Sequence, residues 1–166
     1  QRCKRFSTKA HKSSARQCKL SVFITKISNL YLCKLTILNT AYEIRGIYGT
    51  ELTEELAYNV GRAFVTFLGC HKVAVGRDIR PHSEPLFQAL AKGINELGAD
   101  VVDLGLCSTP ISYYSNSALG CDAGIMITAS HNPGEYNGFK LSRANAVPIS
   151  GATGIADIEK IIADGA

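Results

Sequence analysis

Ser130 stands in the run Thr128-Ala-Ser-His-Asn-Pro-Gly134, where a hydroxyl, an imidazole and an amide follow directly on the apolar residues Ile125-Met126-Ile127. Pro133-Gly134 forces a turn, so the pattern predicts a buried strand that runs into a small polar loop and displays the Ser130 hydroxyl at its carboxyl end. Open α/β sheets place their ligands there. Two chemistries could use such a hydroxyl. A serine-hydrolase elbow needs glycine at both second neighbours, and Thr128 and Asn132 occupy those positions, so that reading fails. A phosphorylated serine would bring roughly −1.5 to −2 charges, which require cations, backbone donors or a metal around them. Lys140, Arg45 and His131 are the candidates. On residue types alone the same loop is also ordinary turn chemistry, Lys140 an exposed strand lysine and Arg45 a surface arginine.

The elements that must position this loop are readable from about Ala41 onward. Tyr42–Ile47 reads as a short strand. Thr53, with Glu54 and Glu55 in the first turn, starts a helix whose apolar positions Leu56, Val60, Phe64 and Phe67 recur at helical steps and stop at Gly69. Lys72–Gly76 is β-rich, and Arg77–His82 a loop in which Arg77 and Asp78 pair with each other or hold the local structure. Ser83 caps a second helix with Leu86, Leu90, Ile94 and Leu97 inward. Asp100–Leu104 is a strand, Thr109-Pro110 opens a short helix, Asp122–Thr128 leads to the serine, and Phe139–Ser142 and Ile155–Ile162 close the pattern. His71 and His82 take surface or packing roles. Alternating strands and helices predict a three-layer α/β/α sandwich with a mixed, mainly parallel sheet.

At 166 residues and 46% hydrophobic, the chain has room for one packed domain. Its formal charge of +4 sums two unlike parts: residues 1–40 hold nine Lys or Arg and no acid, whereas residues 41–166 hold nine basic and fourteen acidic residues. The basic leader reads as a non-native or wrongly joined segment, a targeting peptide or a genuine extension, and carries no function here. The apolar stretch from Leu20 to Leu38 is interrupted by Lys26 and Lys34 and is too polar for a membrane span. Gln1 is no initiator and Met126 is the only methionine, so a fragment, a processed form or a translation lacking its start is expected. The six cysteines, Cys3, Cys18, Cys33, Cys70, Cys107 and Cys121, include no Cys-x-x-Cys and no zinc spacing. Free buried thiols and a cytoplasmic location are expected.

Thr128-Ala-Ser-His-Asn-Pro133, followed by Asn137-Gly-Phe-Lys140, resembles the phosphoserine loop of the α-D-phosphohexomutases, in particular the phosphomannomutase/phosphoglucomutase branch. Ala41-Tyr-Glu-Ile-Arg-Gly46 resembles that family's amino-terminal Arg-Gly loop, Val75-Gly-Arg-Asp78 its second strand end, and Ser108-Thr-Pro110 its Thr-Pro turn. The four motifs fall in the family's order. The likeness covers about residues 41–163, the first of four domains, and leaves residues 1–40 outside it; the domain boundary is therefore drawn at 41–166.

The resemblance implies that Ser130 carries the phosphoryl group, passes it to a hexose phosphate of the mannose or glucose type to make a hexose bisphosphate, and takes one back from the other position. Its phosphate would be one ligand of Mg²⁺. Arg45, His131 and Lys140 would surround the reacting phosphate, with Lys140 also a candidate proton carrier, and Thr128, Asn132 and Tyr42 would contact phosphate or substrate. Phosphoryl transfer asks a protein chiefly for positioning and charge stabilisation, which is what such groups supply. Two departures stand out. Glu43 occupies a position where the family has Asp, and the chain holds no Asp-x-Asp for the metal. The isolated domain is accordingly expected to be inactive and to need the downstream domains of its enzyme; no nucleic-acid or membrane partner is expected. A non-catalytic phosphate-binding or interaction module is the alternative, with a salt-sensitive nucleic-acid-binding arm at residues 1–40 as a third reading.

Overall fold

The computed structural model describes the backbone of residues 39–40 and the whole of residues 43–165. Tyr42 and nearly all of the basic leader, with Cys3, Cys18 and Cys33, lie outside the described residues. Among the described residues six strands form one sheet: β1 (Asn39–Thr40), β2 (Glu43–Ile47), β3 (Lys72–Arg77), β4 (Asp100–Leu106), β5 (Ala123–Ile127) and β6 (Tyr136–Arg143), in the spatial order β1-β2-β6-β5-β3-β4. Among the described residues four α-helices accompany them: α1 (Glu54–Leu68), α2 (Ser83–Glu96), α3 (Thr109–Ala118) and α4 (Ile155–Ala163).

The α/β sandwich is as expected, but the sheet is not mainly parallel. β3 pairs parallel with β4 and with β5, whereas β5–β6, β6–β2 and β2–β1 are antiparallel. The reason lies in the connections. Helical crossovers return the chain parallel, and β5 is instead followed by the short Ser130 loop, which can only reverse it.

α1, α2 and α4 cover one face. From the sheet, Val73, Val75, Ile125, Ile127, Phe139 and Leu141 meet Leu56, Val60, Phe64, Leu86, Leu90, Ile94 and Ile158 in a buried core. Each buried side chain of this size contributes roughly 1.5–3 kcal/mol, which is what fixes the strand ends. Thr53 caps α1 by accepting from the Leu56 amide at 3.2 Å, and Gly69 ends it at φ 59°. Two details depart from the sequence reading. His82 rather than Ser83 precedes α2, and Leu97 is 37% exposed.

α3 lies on the other face, over β3 and β5, and buries Ser112 and Asn116 rather than an apolar stripe. Asn116 donates to the Ser142 hydroxyl and the Arg143 carbonyl there. The described cysteines are free thiols, Cys70 and Cys121 being buried; burial pushes the Cys70 thiol up to about 11.

Candidate active site

β3 and β5 are parallel neighbours whose continuations part, β3 through α2 to β4 and β5 through the Ser130 loop to β6. The crevice beyond their carboxyl ends is the switch point of the sheet. Ile127 is the last residue of β5; the Thr128 amide still bonds the Gly138 carbonyl at 3.0 Å, Ala129 is buried, and Ser130 emerges exposed.

Ser130 adopts φ 56°, a left-handed conformation uncommon outside glycine. Such a residue persists only where its surroundings over-determine it. Here the Ser130 amide donates to the Thr128 hydroxyl at 3.0 Å, and the Asn132 amide to the Ala129 carbonyl at 3.1 Å. The Ser130 Oγ lies 2.9 Å from His131 Nδ1. A hydroxyl that is exposed, conformationally fixed and in contact with an imidazole can accept or release a group with a proton acceptor at hand.

The underside of the loop is held from the β3–α2 connection. Arg80 Nη1 donates to the carbonyls of Pro133 (2.6 Å) and Tyr136 (3.0 Å), and Nη2 to those of Asn132 (2.8 Å) and Ser130 (3.4 Å). Its Nε meets Asp78 at 3.2 Å, and Asp78 also accepts from the Ser83 hydroxyl at 2.7 Å. Nearby, His82 Nε2 reaches the Gly134 carbonyl at 3.0 Å and Nδ1 meets the Asn137 side-chain amide at 3.0 Å. These partners assign His82 the neutral tautomer with its proton on Nε2, while its ring stacks on Tyr48.

The cationic candidates come from β2 and β6. Ile44 pairs with Phe139 and Arg45 with Gly138. Period-two alternation then sends Glu43, Arg45 and Lys140 to the face opposite the apolar core. Arg45 Nη2 meets Glu43 Oε1 at 2.5 Å, Lys140 Nζ meets Glu43 Oε2 at 3.0 Å, and Arg45 Nη1 donates to Asn132 Oδ1 at 2.9 Å. The strand pair thus brings one carboxylate, two cations and the residue two after the serine into a single bonded chain. It can come this close because residue 138 is glycine: a Cβ there would stand 2.3 Å from the Ile44 carbonyl oxygen.

Set against the expectations, Ser130, His131, Asn132 and Arg45 converge, and Lys140 joins them through Glu43. Thr128 is buried and its hydroxyl serves the Ser130 amide. Arg45 lies within β2 rather than in a loop, because Ile44 anchors that segment in the core. Arg77 does not pair with Asp78: it bonds Asp103 and Glu84 and covers the Phe87 ring, since its side chain points back toward β4 and α2. Arg80 and the loop contacts of His82 escape a sequence reading, for their partners are carbonyls and an amide some fifty residues away.

Residues 37–166 match the family model described as phosphoglucomutase/phosphomannomutase, alpha/beta/alpha domain I. The chain belongs to that family. A phosphomannomutase of Klebsiella pneumoniae is 52% identical over 121 residues, 73% of this chain and 77% of that protein. One of Escherichia coli is also 52% identical over 121 residues, but these make up only 26% of its length. Among solved structures, a phosphoglucomutase/phosphomannomutase family protein from Burkholderia thailandensis superposes with a TM-score of 0.69 at 38% identity, over 76% of this chain and 30% of that one. The chain therefore spans about a quarter to a third of the longer relatives it matches.

Domain I as described here does not by itself fit a magnesium ion. No group of three or more His, Cys, Asp or Glu side chains converges among the described residues. A hard divalent cation takes several oxygen ligands, carboxylates prominent among them. Of the carboxylates tied to the serine loop, Glu43 is engaged by Arg45 and Lys140, and Asp78 by Arg80 and Ser83.

Proposed function

We propose that this domain carries the transferable phosphoryl group, on Ser130, of an enzyme that interconverts hexose 1-phosphates and hexose 6-phosphates of the mannose or glucose type. The observation that carries the reading is the Ser130 side chain itself: exposed, held at φ 56°, and touching His131 Nδ1 at 2.9 Å. In the forward step a sugar hydroxyl oxygen bonds to phosphorus and the Ser130 Oγ–phosphorus bond breaks. The proton leaves the sugar hydroxyl and one is returned to Oγ, for which His131 is placed. The resulting hexose bisphosphate then gives its other phosphoryl group back to Oγ, so serine ends as it began.

In this reading Arg45, linked to the loop through Asn132, and Lys140 supply positive charge to the equatorial oxygens, the main demand of phosphoryl transfer. Lys140 is also the candidate to carry the sugar proton. Thr128 and Asn132 shape the loop, and Tyr42 would contact the substrate from the segment ahead of β2. Mg²⁺ belongs to the complete enzyme: the phosphate on Ser130 would be one ligand and the rest would come from beyond this domain. The domain alone is then nearly inactive, in keeping with the share of the longer relatives that it spans. Its partners would be hexose phosphate and the remaining domains of the same enzyme, in the cytoplasm, where the free thiols Cys70, Cys107 and Cys121 would persist. Among the described residues no helix is long and apolar enough to cross a membrane.

The test is phosphopeptide mapping of the complete polypeptide after incubation with hexose 1,6-bisphosphate. One phosphoryl group on Ser130, absent from Ser130→Ala together with turnover, is the expected outcome. A protein that stays unmodified at Ser130 while it converts hexose phosphate, or that shows neither modification nor turnover, overturns the reading; the second result favours a non-catalytic phosphate-binding module.

A further inference from the structure

We infer that Arg80 is the positioning residue that sets the reactive posture of Ser130, a role that builds on the function proposed above. Its guanidinium, with a side chain 14% exposed, is fully engaged: four donated bonds reach the carbonyls of Ser130, Asn132, Pro133 and Tyr136, and Nε is held by Asp78. The negative ends of four peptide dipoles are thereby gathered on one largely covered cation. They are turned toward the β3–α2 connection, and the Ser130 side chain is left on the open side with His131 and the Asn132–Arg45 link.

The anchor of this clamp is itself fixed. The Asp78 amide bonds the Ile127 carbonyl at 3.0 Å, so the residue that holds Arg80 is tied to the strand that delivers Ser130. Asp78 Oδ1 accepts from the Arg80 amide at 3.1 Å and from the Ser83 hydroxyl at 2.7 Å, which places it at the amino end of α2. Clamp, strand end and helix start form one unit. Ser130 at φ 56° is the position that needs such a unit, because no glycine relieves the conformation.

Lysine cannot replace this arginine. A planar fork with five donors reaches four carbonyls at once, whereas an ammonium on a flexible stem is a point charge with three. Arg80→Lys keeps the charge and loses the fork, which separates positioning from electrostatics.

Two measurements test the role. In this chain, amide hydrogen exchange is expected to speed up at residues 130–136 of Arg80→Lys while β3 and β5 stay protected as in the parent. In the complete polypeptide, single-turnover transfer from Ser130 already loaded with phosphate is expected to slow by roughly 10²-fold, the scale of a misplacement of about 1 Å, and the ³¹P resonance of the phosphoserine is expected to move. Counting only loaded enzyme keeps a loss of folded protein from imitating the effect. Asp78→Asn, which removes the anchoring charge and leaves the carbonyls in place, should give the same pattern at smaller amplitude, and decides the matter if Arg80→Lys does not fold. Parental exchange in the loop, or parental transfer rate from the loaded serine, overturns the role. Should Ser130→Ala still turn over substrate, the phosphoserine reading fails, and the exchange measurement still decides whether Arg80 holds the loop.

Discussion

The Lys140 ammonium lies 3.0 Å from the Glu43 carboxylate, across the β2–β6 pairing, and the other oxygen of that carboxylate holds Arg45. Glu43 is therefore the hinge between two cations that would otherwise repel each other beside the serine loop. Glu43→Ala is expected to lower stability by about 1–2 kcal/mol, less than for a fully buried pair because Lys140 remains a quarter exposed. Urea unfolding monitored by circular dichroism measures it; an unchanged midpoint would show that the bridge holds nothing. Glu43→Asp, one methylene shorter, should lose part of this stability, since the shorter carboxylate does not span both cations.

Gly138 is wedged between β2 and β5. A methyl group there meets the Ile44 carbonyl oxygen at 2.3 Å, and Arg45 Cα and the Thr128 carbonyl oxygen at 3.2 Å each. Backbone on both sides cannot step aside as a flexible side chain does, so Gly138→Ala is expected to cost about 3 kcal/mol. Gly134→Ala, whose new methyl group would find nothing within 4 Å, is expected to stay within about 0.5 kcal/mol of the parent. Equal thermal midpoints for the two variants would contradict this assignment of the tight contact.

Acid should unfold the domain partly through Asp122. Its carboxyl is held below the ordinary value of 3.8 chiefly by the His71 amide, against an opposing push from burial and with further help from the Lys72 amide and the charges of both side chains. Oδ2 accepts those amides at 2.9 and 3.0 Å at the start of β3. A carboxylate with a depressed folded-state pKa contributes stability that is present above its unfolded value and is lost as the pH falls through the folded one. Between about pH 5 and pH 2 the unfolding midpoint of the parent should therefore fall more steeply than that of Asp122→Asn. Parallel curves for the two proteins would refute the contribution.

Much of this fold is legible in the sequence because its signals are local. Thr53 with two acids behind it, and Gly69 sixteen residues further on, mark α1 by capping chemistry alone, and an apolar triplet followed by Pro133-Gly134 marks where β5 must give way to a loop. What the sequence conceals is long-range. The reversal of β6 against β5 depends on which strands meet, and no residue in Tyr136–Arg143 announces an antiparallel neighbour. The pairing of Arg77 with Asp103 instead of its own neighbour Asp78 depends on β4 lying beside β3. Arg80 is hidden for a stricter reason: backbone carbonyls are the same in every residue, so a side chain that binds them leaves no complementary letter elsewhere in the chain.

The strand that leaves the Ser130 loop has an electrical consequence. In many phosphate sites the residue after the anion begins a helix, and a fixed macrodipole supplies the attraction. Here the chain leaves the serine as β6, and the amino end of α2 is already occupied by Asp78. Under the function proposed above, attraction for a phosphate on Ser130 then falls to side chains, Arg45 and Lys140 foremost, whose charge is already shared with Glu43. Such an arrangement would hold a phosphate without the fixed pull of a helix end, as the proposed transfer requires.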